Sequence, residues 1–427
     1  MAGIVLFSSW TTGRKILLIL FFCYFILYIF PFPLNLLPFG VGDQISVMTQ
    51  DFWDHIALWF AKKIIALTDL QSWRKGSGDR TVDYLLVPVR LAISIFIALI
   101  WFLVDLKRKN YNELFKYLWL YLRYFLAFTL LTYGLSKVFP NQFWEPSLYD
   151  LIKPFGDSSP MGLLWKFMGY STTYTIFTGF CEVIAGLLLL YKPTVRLGSL
   201  ISLAIVTNIF LLNMSYDVPV KLFSFHLLLI TTIILLPDLK NLFRIFILNR
   251  PPTITTYNPY FKKNKWNILS QVFKFLIIIF FLFTYSMKQI EIKNNRNLET
   301  DTTELYGIYH VGRFILNNDT LPPLTNNSNR WKDFIVEKNN GLIIKMDGQK
   351  QYSNLKMDTI RKTMVLKPYA DTTAVYSLQY RKKDSTLQLF GKFKGDSIHI
   401  DLFNQGNGDF YLLKRKFNWI NEFPMNR

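Results

Sequence analysis

As far as about residue 288 the chain alternates long apolar runs with short polar links; beyond it, apolar and polar positions alternate within short runs. Apolar runs of about 20 residues match the hydrocarbon core of a bilayer, whereas a period of two marks strands with one buried face. The first pattern predicts seven membrane spans, over about 16–30, 83–104, 117–139, 171–191, 195–214, 220–236 and 266–288. The second predicts about eight strands, in LYGIYHVGRFIL, DFIVEK, GLIIKMD, MVLKPY, AVYSLQYR, LQLFGKF, SIHIDLF and FYLLKRK, with a hairpin at Lys394-Gly395-Asp396-Ser397. The expected fold is a polytopic α-helical membrane protein followed by an all-β antiparallel barrel or sandwich. Its expected divisions are 1–116, with two spans and an interfacial helix; 117–247, with four spans; 248–288, with a basic loop and the seventh span; and 289–427, the β domain.

Two features refine this layout. Residues 51–66 place Phe52, Ile56, Trp59, Phe60 and Ile64 on one helical face, which predicts a helix lying at the membrane surface. GSGDRTVDY, at 76–84, has the composition of a tight turn leading into the second span.

Charge sets the direction of threading. Many of the Lys and Arg residues behind the net charge of +19 lie in short loops beside apolar runs, among them LKRKN, YKPTVR and the link carrying Lys240, Arg244, Arg250, Lys262, Lys263 and Lys265. All of these fall on one side of a seven-span arrangement. Lys and Arg are retained on the cytoplasmic side, so the N-terminus is expected inside and 289–427 outside. In a double-membraned bacterium this means the inner membrane and a periplasmic β domain. Because the basic residues are not gathered on one soluble face, nucleic acid is excluded as a partner and the bilayer takes its place.

Cys23 and Cys181 both lie in apolar runs with no CxxC, so dithiol chemistry lacks its reactants. No P-loop, dinucleotide fingerprint, nucleophile motif or standard metal-ligand spacing occurs. His310 and His399 fall in alternating strands and read as ordinary β residues. The candidate chemistry is concentrated in the spans, at Lys137, Glu182, Asn208, Asn213, Asp217, Lys221 and His226. Arg90 and Arg123, within spans two and three, are candidate ion partners for Glu182. Two readings stand side by side: a buried network that fixes how the spans pack, and a polar pocket centred on Glu182 that faces lipid.

RYFLAFTLLTYGLSKVFP, TGFCEVIAGLLLL and LGSLISLAIVTNIFLLN resemble the DoxX family of four-helix membrane proteins, to which a thiosulfate:quinone oxidoreductase subunit is related. The likeness covers about 117–247 and rests on Gly134, Lys137, Glu182, Gly186 and Gly198; three further spans and the β domain lie outside it. It implies a four-helix bundle, marks Lys137 and Glu182, and makes quinone the candidate ligand or cofactor in a redox-linked role. GIYHVGRF is similar to the opening strand of lipocalin-type barrels. A competing expectation is a non-enzymatic envelope protein that binds a partner through 289–427. Transport of a small solute ranks below both, since seven spans do not divide into equal inverted repeats.

Overall fold

The computed structural model describes residues 10–67, 70, 78–252, 264–300, 304–337, 339–371, 373–406, 410–415 and 417–423. Parts of the turn expected over 76–84 and of the basic link, Lys262 and Lys263 included, lie outside them. The chain divides into two compact units, Met1–Trp144 with Ser159–Ile290, and Glu145–Ser158 with Glu291–Arg427.

In chain order the first helices are α1 (Thr12–Ile29), α2 (Val41–Phe60), α3 (Thr81–Val104) and α4 (Asn112–Val138). Two short ones follow, α5 (Leu148–Ile152) and α6 (Pro160–Tyr170). Then come α7 (Thr172–Leu190), α8 (Val195–Ser215), α9 (Lys221–Leu235), α10 (Leu239–Phe246) and α11 (Asn264–Thr300). Among the described residues, seven stretches, carried by α1, α3, α4, α7, α8, α9 and α11, are long and apolar enough to cross a membrane. The chain is a multi-pass membrane protein, as the hydropathy pattern predicts.

The helix packing follows from small residues. Helices α4, α7, α8 and α9 close a ring in which each packs on the next, and α1 lies against α3 and α4. A Cβ on Gly134 would stand 2.8 Å from the Gly179 carbonyl oxygen, and one on Gly186 2.9 Å from that of Ala127, so α4 and α7 touch nearly backbone to backbone. Such contact replaces the hydrophobic drive that lipid cannot supply. Leu122, Leu126 and Leu131 of α4, Ala185 and Leu189 of α7, Val206 of α8, and Ile230 of α9 fill the centre.

Helix α2 turns Trp53, Asp54 and Ala57 inward, with Trp53 and Ala57 packed with Val82 and Leu86 of α3. Phe52, Trp59 and Ile64 of the expected apolar face are exposed, which leaves them available to lipid rather than to protein.

The second unit is a closed antiparallel barrel. Its strands are β1 (Gly307–Leu316), β2 (Asp319–Thr320), β3 (Trp331–Glu337), β4 (Asn340–Lys345), β5 (Lys350–Asp358), β6 (Thr363–Pro368), β7 (Tyr376–Lys383), β8 (Thr386–Phe393) and β9 (Asp396–Gln405). Eight strands run up and down and β9 returns to β1, while the two-residue β2 pairs only with the end of β1. The expected hairpin is the β8–β9 link, where Lys394 and Gly395 both take positive φ, the conformation that matches strand twist in a two-residue turn. Tyr309, Phe314, Trp331, Phe334, Leu366 and Ile400 belong to the buried core of the barrel, as expected of an eight-stranded closure, just wide enough to be filled by its own side chains.

Two expectations are corrected. FYLLKRK is not a strand: Tyr411–Lys414 form a helical turn, α12, because β1 and β9 already close the barrel and leave no edge to extend. The polar strand β5 was not expected, since among its residues Lys350–Asp358 only Ser353 and Leu355 are fully buried. Helix α5, from the link between α4 and α6, packs Leu148 with Ile308, Ile335 and Leu342 of this unit, and Phe410 joins the same cluster.

Candidate functional site

The residues expected to form one pocket do not come together in one place. Lys137, near the end of α4, donates to Glu182 of α7, and both are buried where the two helices are closest. The second carboxylate oxygen of Glu182 is buried with no hydrogen-bond partner. Neither arginine pairs with Glu182. Arg123 is buried over the rings of Trp119 and Tyr124 of its own helix, each 5.1 Å away, and Arg90 stands over Tyr28 and Trp53.

The polar residues after Glu182 also disperse. Asn208 is exposed on α8, on the side turned away from α7 and α9, on which α8 packs most. Asn213 is buried near the end of α8, where its carbonyl accepts the Val218 N–H at 3.0 Å. Asp217 is exposed and accepts from Lys221 at 2.7 Å. His226 is buried against α1: its Nε2 is 2.7 Å from the Tyr24 hydroxyl, its Nδ1 is 2.8 Å from the Leu222 carbonyl, and its ring stacks on Tyr28 at 3.9 Å. A carbonyl only accepts, so Nδ1 carries the proton towards Leu222 and Nε2 accepts from Tyr24.

Glu182 and Lys137 do not line the cavity that opens elsewhere in the bundle. That space, of about 450 Å³, opens between α1, α2, α3, α4 and α9. Tyr28, Trp53, Phe125, Tyr133 and Phe223 give it aromatic walls, and Asp54, Asp79, Asp83 and Arg90 give it charge. Helix starts position the carboxylates. Arg80, the N-cap of α3, holds Asp83 through its backbone N–H at 2.9 Å and its guanidinium at 2.8 Å, and reaches Asp54 at 3.5 Å. Asp79 accepts the N–H groups of Lys221 and Leu222 at 2.7 and 3.0 Å, thereby capping α9.

Arg90 is different. Its guanidinium lies 4.7 Å from the Trp53 ring centroid and 5.6 Å from that of Tyr28, and among the described residues it makes no hydrogen bond or ion pair. Cation–π contact satisfies part of its charge; the N–H groups still require acceptors. Of this cavity, sequence reasoning named Arg90 alone among the charged side chains. The available signal for the others was a tight turn holding Asp79 and Arg80 next to an aromatic amphipathic helix.

Fold and site together define a multi-pass helical membrane protein with an amphiphilic cavity at one end of its bundle and an up-and-down β-barrel. Over 124 residues, 29% of this chain, it is 37% identical to the uncharacterized protein YwoB of Bacillus subtilis (strain 168), of which the match covers 79%. The chain belongs to the family of YwoB. No family model and no solved structure matches it.

Proposed function

We propose that the protein binds a neutral, carbonyl-bearing lipophile of the quinone class in the cavity around Arg90, as a DoxX-like member of a bacterial inner membrane in a redox-linked role. The observation that carries this reading is the unpartnered Arg90 guanidinium between Tyr28 and Trp53 in a cavity with aromatic walls. A flat ring with carbonyl oxygens supplies both acceptors for the arginine and a face for the aromatics. Charge argues for a neutral ligand over a fatty acid or phosphate, because Asp54, Asp79 and Asp83 stand in the same lining and offset the arginine.

The basic loops favour a cytoplasmic N-terminus and a periplasmic barrel; alkaline phosphatase fused after residue 427 is expected to be active. For the ligand, the test is extraction of lipids bound to the purified protein, followed by titration with a short-chain quinone. Arg90→Gln is expected to weaken binding about tenfold or more, the worth of a hydrogen bond to a charged donor. Absence of quinone in the extract together with no binding by the wild type overturns the proposal.

A second reading concerns the barrel alone. Its core is packed with its own side chains, which favours a module that binds an envelope partner through its outer surface rather than a ligand carrier. Deleting 291–427 then abolishes the biological activity while leaving quinone binding intact.

A further inference from the structure

The segment after the barrel carries side chains that the barrel does not bury. Phe417, Trp419, Ile420 and Phe423 are 76%, 90%, 80% and 79% exposed. Tyr411, Leu412 and Leu413 of α12 are about half exposed, and Lys414 and Arg415 lie between the two groups. The segment has local order: Phe417 and Trp419 meet edge to face at 5.1 Å, and Arg415 bonds to Asn421. Large aromatics interleaved with cations are costly to leave in water and fit the headgroup layer, where rings enter the acyl boundary and cations meet lipid phosphates.

We infer that residues 411–415 and 417–423 form an interfacial anchor that binds a bilayer surface rich in anionic lipid. Two further observations favour a bilayer over a protein partner. Phe410, the root of the segment, packs in one cluster with Leu148, Leu151 and Ile152. Leu148 follows Val138, the end of a membrane-crossing helix, by ten residues, a length that reaches at most ~35 Å. A bilayer is therefore always within tethered reach, at high effective concentration. The charge is complementary as well, because each cation near an anionic surface adds to the attraction.

The test is hydrogen exchange of the full-length protein in nanodiscs of phosphatidylcholine alone and of phosphatidylcholine with phosphatidylglycerol. Amides of 411–423 are expected to exchange at least about threefold more slowly in the anionic discs. Lys414→Glu/Arg415→Glu abolishes that difference, and Phe417→Ser/Trp419→Ser/Ile420→Ser removes the protection in both discs. Exchange of β3 and β8, unchanged in every variant, verifies the fold. Equal exchange of the wild type in the two discs overturns the inference. So does protection that requires two copies per disc, which would make a second copy of the chain the occupant.

Discussion

Lys137 and Glu182 form their ion pair directly beside the closest approach of two helices, for a Cβ on Gly179 would lie 2.8 Å from the Cβ of Lys137. The pair is thus tied to the α4–α7 seam and not to the cavity, which gives the packing role a direct test. Removing one partner strands a buried charge at a cost of ~3–5 kcal/mol, whereas replacing both by apolar residues is close to neutral. Glu182→Leu and Lys137→Met are each expected to lower the unfolding midpoint in mixed micelles, and the double variant to recover most of the loss. A catalytic role for the pair would instead leave the double variant stable and inactive.

The seam itself makes a second prediction. Gly134→Val and Gly179→Val force backbones apart and are expected to cost ~1–3 kcal/mol each, the usual range for overpacking. Gly156→Ala, where a Cβ meets nothing within 4 Å, is expected to be silent. The same micelle unfolding assay reads both.

Much of this fold was legible because the forces that shape it act locally along the chain. The hydrophobic runs predict all seven crossing helices, and alternation predicts seven of the eight barrel strands. Strand β5 escaped because its outward residues, Lys350, Asn354 and Lys356 among them, and the inward Gln351 and Ser353 leave an apolar signal too weak to read. FYLLKRK misled for the opposite reason: its apolar residues suit a strand that a closed barrel cannot add. Glu182 and Lys137 were visible as charges in apolar runs, and they do come together. The cavity was not visible, because Tyr28, Trp53, Arg90 and Phe223 lie on four helices whose mutual placement no local pattern encodes.

In the barrel, Lys362 donates to both oxygens of Glu304 at 2.9 Å and the Tyr380 hydroxyl donates at 3.0 Å. The lysine first, and the tyrosine after it, holds the Glu304 carboxyl below its ordinary value. A carboxyl whose folded pKa is depressed contributes stability that is complete above the unfolded pKa and is lost as pH falls through the folded one. Both side chains are more than one-third exposed, so solvent screening limits the contribution to ~0.5 kcal/mol. Glu304→Gln is expected to lower barrel stability slightly near neutral pH, and the deficit to shrink as pH falls through the depressed pKa of the folded carboxyl, vanishing where the group is protonated in both states. Urea midpoints along an acid series measure the difference; a deficit that does not shrink in acid would assign it to lost packing.

Asp79 links the start of α3 to the start of α9, and it does so from a left-handed backbone, φ +57°. Two requirements therefore coincide at one residue: a short polar side chain that tolerates positive φ, and an acceptor for the Lys221 and Leu222 N–H groups. Asn meets the first and half of the second. Gly meets only the tolerance of positive φ, and Ala meets neither requirement. Loss of a helix cap costs ~1 kcal/mol, and a left-handed residue with a Cβ ~1–2 kcal/mol more. The expected order of stability is wild type, Asp79→Asn, Asp79→Gly, Asp79→Ala. Since Val220, Leu222 and Phe223 in the capped turn also wall the cavity, fraying that turn should loosen the site. The quinone affinity proposed for the cavity is then expected to fall in the same order, although Asp79 need not touch the ligand. Titration of the three variants alongside their unfolding midpoints checks this. Affinity that ignores the series while stability follows it would mean that the α9 wall takes no part in binding.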